Sequence, residues 1–329
     1  MLKKPSKKST EKKKASDPNA GMEAAMRQLE EMLVSSGMAS PGDMNALMTS
    51  LAGPSASDGL SDTEADERNE AQQLAFEAME ATSVAQARKL AKRALRLDPD
   101  CVDALALLAD LDSPTQRELI EGLQKAVAAG ERSLGEKFIG ENKGHFWLLL
   151  GTRPYMRAME RLAGLLRGRG ISLDAIRVYE RMLELNPNDN QGVRDPLLGL
   201  YLETGDLEGA RELLEKFKQD ASSNFVWASV LERFLAGNSD QASAALREAR
   251  QANPHVELYL TARKSLPKHP PEMYSPGSEE EAALCVDYLS VAWTAHKEAT
   301  FWLLDQLAMD GLLPVPSKGG GRTTSHGIH

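Results

Sequence analysis

Arg153, Arg157 and Arg161 stand four residues apart; on a helix Arg157 and Arg161 share one face, with Arg153 one turn earlier. A guanidinium gives forked hydrogen bonds to a carboxylate or phosphate, so the chemistry on offer is a grip on an acidic group, not bond making. Each charge-assisted hydrogen bond contributes about 1.5–3 kcal/mol; useful affinity therefore needs several, with apolar contacts from Trp147, Tyr155 or Tyr201. The competing reading pairs these arginines with Glu160, Asp189 or Asp195, so that they only brace the helices, and bracing is the reading favoured here. The stretch "NDNQGVRD", Asn188 to Asp195, poses the same choice. Asn190 and Arg194 are candidate contacts to a bound peptide, since amides supply both a donor and an acceptor. Against that, Asp189 or Asn190 caps the helix that follows, and Asn188 takes the turn geometry; capping is favoured.

Other reactive constellations are not found. The six histidines, His145, His255, His269, His296, His326 and His329, have no partner at a zinc spacing. No phosphate loop, dinucleotide turn or Gly-x-Ser-x-Gly elbow occurs. Cys101 and Cys285 lie far apart and suggest neither a disulfide framework nor a Cys-x-x-Cys site. No catalytic residue, metal or cofactor is expected. In "GSEEEA" Ser278 reads as a helix cap, with Glu281 closing a capping box. Glu279, Glu280 and Glu281 then favour the helix N-terminus through its partial positive charge, in preference to binding a cation.

The elements that must position these side chains are helices. The chain has 329 residues, 42% apolar and only 5% aromatic, a composition that favours helices over sandwiches or barrels. No apolar run reaches membrane-spanning length; "FWLLLG" from Phe146 is the densest. The net charge is −9 overall and +6 over residues 1–14, so the remainder carries −15. An acidic body disfavours nucleic acid as a partner, because phosphate neutralisation needs a basic face. The lysine-rich start could still serve a salt-sensitive contact with an acidic surface. It carries no secretory pattern, so a cytoplasmic location is expected.

Residues 1–66 mix Lys, Ser, Pro, Gly and Asp and read as a largely disordered leader. Within it, Met22, Met26, Leu29, Met32 and Leu33 have the spacing of a short amphipathic helix, and "PGDMNALMTSLAG" is a second candidate. Helical patterning then runs over 67–312, with an irregular insertion at 130–155, a last helical pair near 278–309 and a flexible tail at 313–329. No segment shows the sustained alternation of a strand.

A phrase repeats inside the helical region: "LRLDPD" near Leu95, "LELNPND" at Leu183 and "RQANPH" near Arg250. In each, a small residue precedes the proline by twelve: Ala87 and Pro99, Ala175 and Pro187, Ala242 and Pro254. That interval resembles the second helix of a tetratricopeptide repeat, a 34-residue pair of antiparallel helices. The resemblance is fullest from Met156 to Asp189, and weaker units begin near Arg68, Gln191 and Ser223. It implies an all-α, right-handed superhelix of antiparallel helix pairs, whose first helices line a concave groove. Arg157, Arg161 and Arg167 fall at places where peptide-clamping members of that family carry basic residues. Pro196 interrupts an expected first helix, which either starts late with the proline in its first turn or is kinked.

"FWLLLGTRPYMRAMERLA", "LNPNDNQGVRDPLL", "NPHVELYL" and "MYSPGSEEEAALCVDYLSVAW" further resemble the suppressor of tumorigenicity 7 protein family and its soluble relatives. The likeness covers roughly 140–307. It implies a repeat scaffold with family-specific loops and brings no catalytic residues. The expectation is a non-catalytic scaffold or adaptor that binds a peptide of another protein, with Arg153, Arg157, Arg161, Asn190, Arg194 and Tyr201 as contacts. The alternative is an enzyme or enzyme-associated subunit with a pocket formed by the insertion around His145 and Arg153.

Overall fold

A computed structural model of the chain describes residues 62–269, 271 and 273–311. The two amphipathic segments expected in the leader, and the tail from 313, lie outside the described residues. Among the described residues the chain is all-α, with fourteen α-helices, two short 3-10 segments and no strand. None of these helices is long and apolar enough to cross a membrane. They divide into two compact units between Val193 and Arg194, where the sequence suggested one domain.

The first unit holds α1 (Asp62–Glu80), α2 (Val84–Leu97), α3 (Val102–Asp112), α4 (Gln116–Leu134), α5 (Glu136–Glu141), α6 (Arg153–Gly168) and α7 (Ser172–Leu185). Small residues allow close approach: Ala71, Ala75 and Ala78 of α1 cluster with Ala91 and Ala94 of α2 and Ala104 of α3. α1 packs on α2, α2 on α3, α3 on α4, α4 on α5 and α6 on α7; α1 also meets α3, α4 meets α6, and α3 meets α6. The second unit holds α8 (Arg194–Thr204), α9 (Leu207–Lys216), α10 (Ser223–Leu235), α11 (Ser239–Ala252), α12 (Val256–Leu260), α13 (Glu279–Ala295) and α14 (Lys297–Met309). Here α8 meets α9 and α10, α9 meets α10, and α10 meets α11; α13 packs on α8, α10 and α12.

The recurring phrase has a local cause. Ala87, Ala175 and Ala242 are buried, and Pro99, Pro187 and Pro254 each lie two places beyond the last helical residue, Leu97, Leu185 or Ala252. The residue before a proline is pushed out of the helical region. Asp98, Asn186 and Asn253 accordingly have φ of −130°, −137° and −156°. Two of them then steady the turn with their own side chains, Asp98 accepting from the Asp100 N–H at 2.9 Å and Asn253 from the His255 N–H at 3.1 Å.

Two boundaries differ from the sequence reading. The first described helix opens at Asp62, inside the stretch assigned to the leader. Its first turns carry Asp62, Glu64 and Asp66, which suit a helix N-terminus, and its later residues are buried against α2. The irregular path covers 135–152, not 130–155, because α4 continues through Gly130 to Leu134. Gly130 acts as clearance, not as a breaker: an added Cβ would lie 2.6 Å from the Tyr155 ring. The irregular path is held by Phe146, fully buried and edge-on to Tyr155 at 6.3 Å, and by the Gly144 N–H donating to the Leu185 carbonyl at 3.1 Å.

Pro196 is the third residue of α8, in the first turn, where its missing N–H leaves no gap in the ladder. Three places on, Gly199 lets α8 approach α13 so closely that an added Cβ would fall on the Tyr288 carbonyl oxygen. Gly199→Ala is therefore expected to destabilise the second unit by about 1–3 kcal/mol despite alanine's better helix propensity. Urea denaturation followed by circular dichroism checks this, and an unchanged midpoint would show that the contact relaxes freely.

Candidate functional site

Pro154 is the second residue of α6, and a stripe of Tyr155, Met156, Met159, Leu162, Ala163 and Leu166 buries one side of the helix. Arg153, Arg157 and Arg161 follow one another along the side away from that stripe. Their surroundings differ sharply. Arg157 is only 14% exposed and grips Asp103 of α3, Nη2 to Oδ2 at 2.5 Å and Nε to Oδ1 at 3.3 Å. Asp103, 4% exposed at its side chain, also accepts from the Gln72 amide of α1 at 2.7 Å. A buried Gln72–Asp103–Arg157 cluster thus ties α1, α3 and α6 together.

Arg161 pairs with Asp110, two turns along α3, and stays 44% exposed. Arg153 lies over the Trp147 ring at 5.2 Å and donates from Nε to the Trp147 carbonyl at 3.2 Å. Beside it Leu148 is 58% exposed, and His145 is exposed as well. The face therefore offers one buried brace, one half-buried ion pair and one arginine stacked on an indole.

The other expected contacts are dispersed. Asn190 is exposed in the turn after α7. The left-handed non-glycine residue of that turn is Asp189, with φ of 51°, where Asn188 had been expected. Its Oδ1 accepts from the Val193 N–H at 2.8 Å, so it fixes the chain just ahead of Arg194. Glu160, expected as an arginine partner, accepts from the Gln191 amide at 2.6 Å. Arg194 and Tyr201 belong to the second unit. The Arg194 guanidinium pairs with Asp220 at 2.9 Å and lies over the Phe217 ring at 5.3 Å. Tyr201 is buried, with its ring against Gly209. One helix thus brings Arg153, Arg157 and Arg161 together, Asn190 shares their unit, and Arg194 and Tyr201 are set in separate surroundings.

Asp103 and Asp110 were the partners that sequence reasoning missed. Their signal was present: two carboxylates seven apart in the apolar run "VDALALLAD", the spacing of one helix face. A charge in so apolar a stretch calls for a partner.

The second unit has a polar centre of its own. Ser278 caps α13, accepting from the Glu281 N–H at 3.2 Å. The Glu281 carboxylate does not return to Ser278 as a capping box would require. It accepts from the Gly277 N–H at 2.7 Å, the Ser223 N–H at 3.1 Å and the Asn253 amide at 3.2 Å. Glu281 thereby ties α13 to the start of α10 and the end of α11. Burial alone would push its pKa up, but the hydrogen bonds from Ser223, Gly277 and Asn253 outweigh it and hold the carboxyl below the usual glutamate range. Asn253 also donates to the Ser278 carbonyl at 2.9 Å, and its own carbonyl accepts from the Trp227 indole at 3.2 Å.

Among the described residues, no three His, Cys, Asp or Glu side chains gather as metal ligands. No protein-family model matches the chain, and no curated protein matches it.

Proposed function

We propose that the chain is a non-catalytic interaction scaffold of the tetratricopeptide type, akin to the soluble relatives of the suppressor of tumorigenicity 7 family. It holds an extended segment of another protein against α1, α3 and α6. The observation that carries this reading is the packing pattern of the first unit: α1 meets α2 and α3, α3 meets α4 and α6, and α4 meets α6. α3 and α6 each touch their own partner, the preceding second helix and the preceding first helix, which is how stacked helix pairs share one core. In that architecture the first helices line the groove. In the second unit α13 already packs on α8 and α10, so the first unit is the one assigned to the ligand.

The arginines divide the work. Arg157 is a brace, held by Asp103, which the Gln72 amide holds in turn. Arg161 is the contact for an acidic side chain, because its own side chain is 44% exposed even while paired with the more deeply set Asp110. A ligand carboxylate can share that guanidinium with Asp110, while Trp147, stacked on Arg153, and the exposed Leu148 next to it in the chain offer apolar surface. Selection of a random peptide display library on the full chain, followed by hydrogen-exchange mapping, is expected to enrich acidic peptides that protect α1, α3 and α6. Arg161→Ala should weaken them several-fold without unfolding the chain. Enrichment of no peptide, or protection confined to other helices, would remove the reading.

A further inference from the structure

Three serines of the described residues stand in contexts that a protein kinase reads. Ser113 and Ser275 each precede a proline, Pro114 and Pro276, as a proline-directed enzyme requires; Ser278 is followed by Glu279, Glu280 and Glu281, which suits an acid-directed one. The fold treats the three differently.

Ser113 is half-buried at the end of α3, and its N–H donates to the Ala109 carbonyl at 3.2 Å. Two residues on, Thr115 caps α4: its hydroxyl accepts from the Glu118 N–H at 3.2 Å, and its own N–H donates to the Glu118 carboxylate at 3.0 Å. Seating Ser113 in a kinase cleft would unfasten both helix ends. Ser278 is held through three groups. Its N–H donates to the Ser275 carbonyl at 3.0 Å, its hydroxyl accepts from the Glu281 N–H at 3.2 Å, and its carbonyl accepts from the Asn253 amide at 2.9 Å. Modifying that hydroxyl would surrender the cap of α13.

Ser275 has neither restraint. Met273, Tyr274, Ser275 and Pro276 are all exposed, Met273 at 83% and Tyr274 at 56%, and residues 273–275 run without a bend. A residue before proline is kept in the extended region, the backbone a kinase takes up to its acceptor. The chain bends only afterwards. Ser275 to Ser278 form a β-turn with Pro276 second, Gly277 third at φ of 76°, and the Ser278 N–H closing on the Ser275 carbonyl; these are the residues and the positive φ of type II. The Gly277 N–H donates to the Glu281 carboxylate at 2.7 Å. The turn is thus pinned behind Pro276, and the serine stands at its exposed corner.

We propose that Ser275 is a phosphorylation site for a proline-directed serine/threonine kinase that uses a nucleoside triphosphate. The Ser275 Oγ bonds to the γ-phosphorus as the bond from that phosphorus to the β,γ-bridging oxygen breaks; the nucleoside diphosphate leaves with the electron pair, and the hydroxyl proton passes to the kinase's base. The phosphate adds a charge of about −1.5 to −2 four residues ahead of Glu279, which holds the Lys264 ammonium. The modified chain therefore carries a more acidic edge at the start of α13. This site does not depend on the peptide-groove reading of the first unit.

The test is incubation of the full chain with magnesium ATP and a panel of recombinant proline-directed and acid-directed kinases, with sites and rates read by peptide mapping and mass spectrometry. At least one proline-directed enzyme should modify Ser275 at least about tenfold faster than Ser113. Pro276→Ala should slow that modification by about tenfold or more, and circular dichroism checks that the helices persist in the variant. The proposal is overturned if every proline-directed enzyme leaves Ser275 unmodified, if Ser113 keeps pace with it, if Ser278 takes the phosphate in its place, or if the rate survives Pro276→Ala.

Discussion

Asp103→Ala is expected to destabilise the first unit by about 3–5 kcal/mol, the cost of stranding one member of a buried ion pair. The Arg157 guanidinium it faces is only 14% exposed and cannot swing into water without leaving α3. The Gln72 amide, itself buried, would lose its acceptor in the same step. Urea denaturation, with hydrogen exchange monitored in α3 and α6, measures the loss. Replacing both partners by apolar residues of similar volume, Asp103→Leu with Arg157→Met, should recover most of it, because removing the pair removes the uncompensated charge. A single-variant loss below about 1 kcal/mol would mean that the pair is effectively hydrated, as surface pairs are.

Glu281→Ala should cost the second unit at least about 3 kcal/mol, since it leaves donors from Gly277, Ser223 and Asn253 without an acceptor and each such orphan costs about 1–3 kcal/mol. The charge matters as well as the shape. The folded-state pKa of Glu281 lies below its ordinary value. Its contribution is therefore fully present above the ordinary glutamate range and is lost as pH falls through the lowered folded value. Glu257 has the opposite sign: burial raises its pKa in spite of Arg250, so its contribution grows as pH falls. A whole-protein pH profile would mix the two. Comparing wild type with Glu281→Gln separates them, and the gap in melting temperature should be large at pH 7 and narrow steadily as the solution is acidified below the ordinary glutamate range. A gap that stays constant with pH would show that the carboxylate's charge is not what the three donors recognise.

How much of this was legible depends on distance along the chain. The phrase ending in Asp-Pro or Asn-Pro was readable because its causes are local: an alanine at the close approach, a proline two places past the helix end and a pre-proline residue outside helical φ. The all-helical class followed from the same short-range patterns. Pairings were not readable. Arg157 finds Asp103 at 54 residues' remove, and the sequence offered Glu160, Asp189 and Asp195 as nearer candidates. Glu281 was placed correctly at the third position after Ser278, yet its carboxylate turned to Ser223, 58 residues earlier. A capping box is visible in four letters; a buried acceptor's true donors are decided by which helices pack there. Gly130 misled for the same reason, since clearance for the Tyr155 ring and a helix break look alike in sequence.

The placement of α13 on α8 and α10 has a consequence for biosynthesis. Ser223 and the shallow surface at Gly199 leave the ribosome well before residues 279–295 have been made. Until then the Ser223 N–H has no Glu281 to receive it and the face of α8 at Gly199 has no α13 to cover it, so the second unit completes its packing only after residue 295 is made.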